Sequence, residues 1–206
     1  MAKHSKTLEP AAAVRTRRAY FDCRFGQLHV RTAFPTTGGF DEQVTLFCLH
    51  PEQSSSRAFA RFLPEIGDVR SVYAPDLPGL GESDPSATSS VAEAAGAIAD
   101  LADDLRLRQI DVLGMHNGAR VAMELAAARP QLVRRLVLVA LSGADRLPTI
   151  GQQALVMRAP GAADALPALK AALPNGKIAD IADYASDLFD AAPKKFARQI
   201  GAFLSG

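Results

Sequence analysis

The stretch Ile110-Asp111-Val112-Leu113-Gly114-Met115-His116-Asn117-Gly118-Ala119-Arg120-Val121-Ala122 constrains this chain more than any other. It begins as a short apolar strand, turns between two glycines and continues as an alanine-rich helix. The residue at the centre of so tight a turn sits in a strained backbone conformation. Its neighbours two before and two after must be small enough for strand and helix to approach each other. Gly114 and Gly118 meet that need, and the residue between them is His116.

The rest of the chain supplies elements that fit around such a turn. Residues 1–17 read as a flexible lead-in and residues 18–206 as a single domain. Residues 19–25 and 27–33 flank Gly26 as an antiparallel hairpin, with His29 an ordinary strand residue. Residues 44–49 are continuously apolar, as expected of a strand covered on both faces. Ser54, Ser55 and Ser56 are suited to cap a helix over 57–66, and residues 69–74 form the next strand. Residues 75–84 are dense in proline, glycine and aspartate, which marks a loop.

A helix is predicted over 90–105, with Asp100, Asp103 and Asp104 on its solvated face. Beyond the strand–turn–helix, residues 134–141, 153–158 and 177–181 read as strands and 163–173 as a short helix. Pro193 opens the closing helix, residues 194–204. Strands alternating with helices predict a parallel sheet with helices on both faces. Residues 142–153 offer too little chain for a helical cap, so a site here is expected to be shallow or covered by loops.

A net charge of +1 gives no electrostatic case for nucleic acid or an anionic membrane surface. The run Arg15, Arg17 and Arg18 reads as part of the solvated lead-in. No segment approaches the roughly 20 apolar residues of a membrane span. The first residues lack the apolar core of a secretory signal, so the expected location is cytoplasmic. Cys23 and Cys48 fall inside strands and read as buried free thiols. The expected partner is a small-molecule substrate or ligand, with no cofactor and no metal. An uncapped apolar rim is one that a homodimer could cover.

Three segments carry a resemblance to the α/β-hydrolase superfamily over residues 19–204. Leu46-Phe47-Cys48-Leu49-His50, followed by a proline and serines, is similar to the strand and oxyanion loop of that family. Asp76-Leu77-Pro78-Gly79-Leu80-Gly81-Glu82-Ser83-Asp84 is similar to its D-x-P-G-x-G-x-S loop. Gly114-Met115-His116-Asn117-Gly118-Ala119 occupies the place of its nucleophile elbow. The resemblance implies an α/β-hydrolase fold: a mostly parallel central sheet, helices on both faces and a cap domain absent or minimal. It also implies an active site at the carboxyl ends of the strands.

The side chains depart from that pattern. By the resemblance, the family nucleophile, usually serine, maps to His116 and the catalytic histidine to the neighbourhood of Ser186. The family acid follows the penultimate strand, where Asp164 is the nearest carboxylate. Asp145 stands where some relatives keep a substitute acid. The histidines are His4, His29, His50 and His116, so the chain order Ser…Asp…His is not met.

A neutral imidazole at position 116 can act as a general base towards water or as a nucleophile. Asn117 N–H and Glu52 N–H are the candidate donors to an oxyanion, whereas Pro51 has no N–H to give. Asp145 is the first candidate to orient His116 and Ser186 the second. Met115 is expected beside the pocket. His50 either braces its loop or joins Glu52 and His116 in a polar cluster or a metal site, although the spacing carries no metal signature. Two readings stand. One is a hydrolase of small ester, lactone or related acyl substrates centred on His116. The other is a catalytically inactive protein of the same fold that binds a small molecule or, with Met115 or Phe189 filling the mouth of the sheet, another protein.

Overall fold

Strand and helix alternate along the chain and build one mixed sheet with helices on both faces. The structure, a computed structural model, describes residues 14–36, 43–86, 90–141, 147–159, 166–182 and 187–206. Its strands are β1 (Arg15–Cys23), β2 (Gly26–Phe34), β3 (Leu46–Leu49), β4 (Val72–Pro75), β5 (Ile110–Met115), β6 (Val133–Val139), β7 (Gln153–Arg158) and β8 (Gly176–Asp180). Its helices are α1 (Leu63–Ile66), α2 (Val91–Asp104), α3 (Asn117–Ala128), α4 (Leu166–Ala172), α5 (Leu188–Ala191) and α6 (Pro193–Ser205). The sheet order is β1-β2-β4-β3-β5-β6-β7-β8. The pairs β1–β2 and β2–β4 are antiparallel, and every later pair is parallel.

β5 runs near the middle and is buried along its whole length. Its side chains alternate between two cores. Val112 joins the α2–α3–α4 face, with Ile98, Leu101, Val121, Leu125 and Leu169. Leu113 and Met115 join the α1–α5–α6 face, with Leu63, Phe189, Phe196 and Ile200. α2 starts at a serine N-cap: Ser90 Oγ accepts from Glu93 N–H at 3.2 Å and donates to the Glu93 carboxylate at 3.1 Å. Among the described residues no helix is long and apolar enough to cross a membrane.

Several expectations shift. The arginines expected in a lead-in belong to β1: Arg15, Arg17 and Arg18 pair with Phe34, Thr32 and Arg31 of β2. They are exposed, but backbone pairing at a sheet edge does not need apolar side chains to form. The helix expected over 57–66 is a 3-10 turn, Ser56–Phe59, followed by the short α1. Pro64 lacks the N–H that a continuous helix would require there. Asp100 and Asp103 are not simply solvated. Asp100 accepts from the Arg24 backbone and guanidinium at 2.8–2.9 Å, which pins the hairpin turn to α2. Asp103 pairs with Arg129 at the end of α3. α5 lies in what the sequence reads as loop. Residues 140–141 and 147–152, the described part of the β6–β7 connection, contain no helix.

The amino end of the sheet is closed by a buried ion cluster. The Asp111 carboxylate accepts from Arg134 at 2.9 and 2.6 Å and from Arg70 at 3.2 Å, and Asp111 and Arg70 are both fully buried. Arg134 also donates to the Leu204 carbonyl at 2.7 Å, which ties α6 to the sheet. Burial pushes the Asp111 carboxyl above its ordinary range, against the pull of the guanidiniums. Removing the carboxylate would leave Arg70 buried without its counter-charge. Asp111→Ala is therefore expected to lower the unfolding free energy by about 3–5 kcal/mol, read from urea denaturation midpoints.

Candidate active site

The turn between β5 and α3 has the strain that its glycine spacing requires. His116 has φ 51° and ψ −114°, a region that non-glycine residues rarely occupy. It is held there by His116 N–H to the Val139 carbonyl at 2.9 Å and by Ala119 N–H to the His116 carbonyl at 3.1 Å. A methyl group at Gly114 would run into the backbone of Gly118 and Ala119. One at Gly118 would run into the carbonyl oxygens of Leu49 and His50, at the end of β3. Strand, helix and neighbouring strand thus meet at backbone contact. Gln53 (φ 55°) and Ala140 (φ 49°) are strained at the same carboxyl edge. Strain of this kind persists only where the surroundings over-determine it, and it gathers at functional sites.

Beside this turn lies a cleft of about 220 Å³, lined by Glu52, Gln53, Leu77, Pro78, Gly79, Leu80, Ser90, Ala94 and Asn117. It brings together two of the residues singled out in the sequence, Glu52 and Asn117. Neither Glu52 N–H nor Asn117 N–H donates to an acceptor among the described residues. The apolar wall comes from the 77–80 loop and from Ala94 on α2.

His50 resolves as a brace. It is buried, its Nδ1–H donates to the Pro51 carbonyl at 2.7 Å, and its Nε2 accepts from Leu77 N–H at 2.9 Å. That partner pair fixes the tautomer and commits both nitrogens. Burial holds the imidazole below its usual range, although the Pro51 carbonyl and Asp76 pull the other way. His50 therefore links the loop after β3 to the loop after β4 and has no lone pair left for a metal. Among the described residues no cluster of three or more His, Cys, Asp or Glu is placed to hold a metal ion.

Asp76, the first residue after β4, organises the cleft wall. Its carboxylate accepts from Ser56 N–H at 2.6 Å, Glu82 N–H at 2.9 Å and His29 Nδ1 at 2.9 Å. Ser83 Oγ donates to the Asp76 carbonyl at 2.7 Å and accepts from His29 N–H at 2.9 Å. Asp84 closes the same loop on the hairpin, through Gln27 N–H to its carboxylate at 2.9 Å. Burial pushes the Asp76 carboxyl up, but the bonds from Ser56, Glu82 N–H and His29 outweigh it and hold it below the ordinary range.

The sequence treats His29 as an ordinary strand residue, yet it is the hairpin's tie to this network. The signal available was a histidine on a strand beside a loop that opens with aspartate. Met115 is corrected: it is 1% exposed and packs in the α1–α5–α6 core, because strand alternation turns it away from the cleft. Phe189 likewise packs on Phe59 and Phe62, with ring centroids at 5.3 and 4.7 Å. Asp145, Asp164 and Ser186 lie outside the described residues. At the carboxyl ends of β7 and β8 the structure shows a pair that the sequence reading missed, Arg158 with Asp180 at 2.6 Å. Adjacent register, Arg158 opposite Asp180, makes it.

Residues 44–200 match the family model for the alpha/beta hydrolase fold, and the chain belongs to that family. Among curated proteins it is similar to an uncharacterized protein of Mycobacterium tuberculosis, 43% identical over 76 residues that make up 36% of this chain and 22% of that one. It is also similar to 2-hydroxymuconate semialdehyde hydrolase of a Pseudomonas species, 32% identical over 119 residues, 53% of this chain and 41% of that one. The matched stretches thus span less than half the length of either relative. Among solved structures, an epoxide hydrolase named CorEH superposes with a TM-score of 0.81 over 93% of this chain and 99% of that one. At 13% identity this is a likeness of fold.

Removing the Asp76 carboxylate strands three donors at once. Asp76→Ala is expected to destabilise the protein by about 2–4 kcal/mol at neutral pH, measured by chemical denaturation. Because the folded pKa lies below the unfolded one, this stabilisation is present above about pH 4 and fades as pH falls through the lower folded value. The difference between parent and variant should shrink accordingly in acid.

Proposed function

We propose that the protein is a hydrolase of small ester, lactone or related acyl substrates, with His116 as its working side chain. One observation carries this reading. His116 is held at positive φ on the carboxyl edge, next to a cleft where two N–H groups, Asn117 and Glu52, have no described acceptor. Family membership and a hydrolase among the relatives support it.

In this reading the β5–α3 turn is the family's elbow and the two N–H groups form an oxyanion hole. The neutral imidazole of His116 takes a proton from water as the water oxygen attacks the carbonyl carbon. The developing oxyanion accepts from Asn117 N–H and Glu52 N–H. When the intermediate collapses, the alkoxide leaves and takes the proton back from the imidazolium, giving acid and alcohol. Leu77, Pro78 and Leu80 receive the acyl chain, and a cleft of about 220 Å³ suits a short one. Asp145 or Ser186 orients the imidazole.

The test is hydrolysis of p-nitrophenyl acetate and butyrate between pH 5 and 9 by the parent beside His116→Ala. A general base is worth roughly 10²–10⁴ in rate, so the variant is expected to lose at least about 100-fold. A second reading, binding without turnover, is favoured by the absence of any histidine after His116 in the sequence. Equal rates in parent and variant would overturn the hydrolytic role of His116 and leave that second reading.

A further inference from the structure

We propose that a second cleft, between the β1–β2 hairpin and the chain around α1, binds the dianionic phosphate group of a small phosphomonoester. The argument begins with register. Arg18 of β1 stands directly opposite Arg31 of β2, so both guanidiniums rise from the same face of the hairpin. Like charges placed directly opposite on a sheet repel each other. The cleft they share has a volume of about 220 Å³ and is lined by Thr16, Arg17, Arg18, Arg31, Ala60 and Leu63, with no carboxylate among these described residues.

Among the described residues Arg24, Arg57, Arg70, Arg129, Arg134 and Arg158 meet acids, while Arg15, Arg61, Arg106, Arg108, Arg120 and Arg198 stand apart from them, away from this cleft. Arg17, Arg18 and Arg31 have neither an ion pair nor a side-chain hydrogen bond among the described residues. Charge on an edge strand deters pairing with another sheet, which accounts for exposed arginines on β1. It does not account for an opposed pair lining one cleft.

An anion in the cleft answers the repulsion. Two guanidiniums carry two charges and present two planar forks of N–H donors. A phosphomonoester carries about −1.5 to −2 at neutral pH and has three oxygens to receive them, whereas a carboxylate matches only one fork. Thr16, two residues from Arg18 on the same face, adds a hydroxyl. Ala60 and Leu63 offer an apolar wall to the rest of the ligand. Four strand spacings, about 19 Å, separate β1 from β5, so this site is distinct from the one at His116.

Phenyl phosphate is the probe, titrated calorimetrically into the full chain at fixed ionic strength, with thermal melting as the second readout. Saturable one-site binding is expected, weakened at least tenfold by Arg18→Gln and by Arg31→Gln and unchanged by Arg108→Gln. Arg18→Gln should melt no lower than the parent without ligand, since repulsion is relieved, yet gain no stability from phenyl phosphate. Failure to saturate, or equal weakening by Arg108→Gln, would overturn the site. Benzoate binding as tightly would overturn the phosphate class. Binding only to vesicles containing phosphatidic acid would replace the small ligand with a membrane surface.

Discussion

The carboxyl edge of the sheet depends on how closely the first turn of α3 lies against the end of β3. Gly118 has its α-carbon against the carbonyl oxygens of Leu49 and His50, with no room for a methyl group. That contact fixes where α3 begins, and so where Asn117 N–H points. It also fixes how far the chain after β3 must swing before Glu52 can face the same space. His116 is strained because strand and helix are both already placed; its φ of 51° is the angle that closes the gap between them.

A second layer of constraint runs through charged and polar groups. Asp76 gathers Ser56, Glu82 and His29, and His50 bridges Pro51 to Leu77. Between them they connect the hairpin, the loop after β3 and the loop after β4. Loops of this length would otherwise carry unsatisfied backbone donors and move independently. Here these bonds anchor the cleft wall to the strands beneath it.

Much of this was legible in the sequence. The glycine spacing around His116 announces the turn, the apolar runs announce the parallel strands, and β7 spans the residues 153–158 expected of it. The proline- and glycine-rich loop announces the cleft wall. The misses have physical causes. β1 was clipped because an edge strand needs no apolar pattern on its exposed residues. The helix after β3 was drawn through Pro64. Met115 was placed beside the pocket although period-two alternation puts it on the opposite face from Val112. The Asp76–His29 contact joins residues 47 apart in sequence, and only the antiparallel return of β2 beside β4 brings them together. The partners expected for His116, Asp145 and Ser186, fall outside the described residues.

The ion cluster of Asp111, Arg70 and Arg134 sits at the other end of the same strands, with α6 tied in through the Leu204 carbonyl. Its position separates two tasks along a single strand. Cohesion is secured at the amino edge, while the residues around His116 at the carboxyl edge are held by backbone geometry that does not depend on which side chain His116 carries. A framework divided in this way is mutationally permissive at position 116, though not at Asp76 or His50. The side chain displayed there can be exchanged with little effect on whether the chain folds.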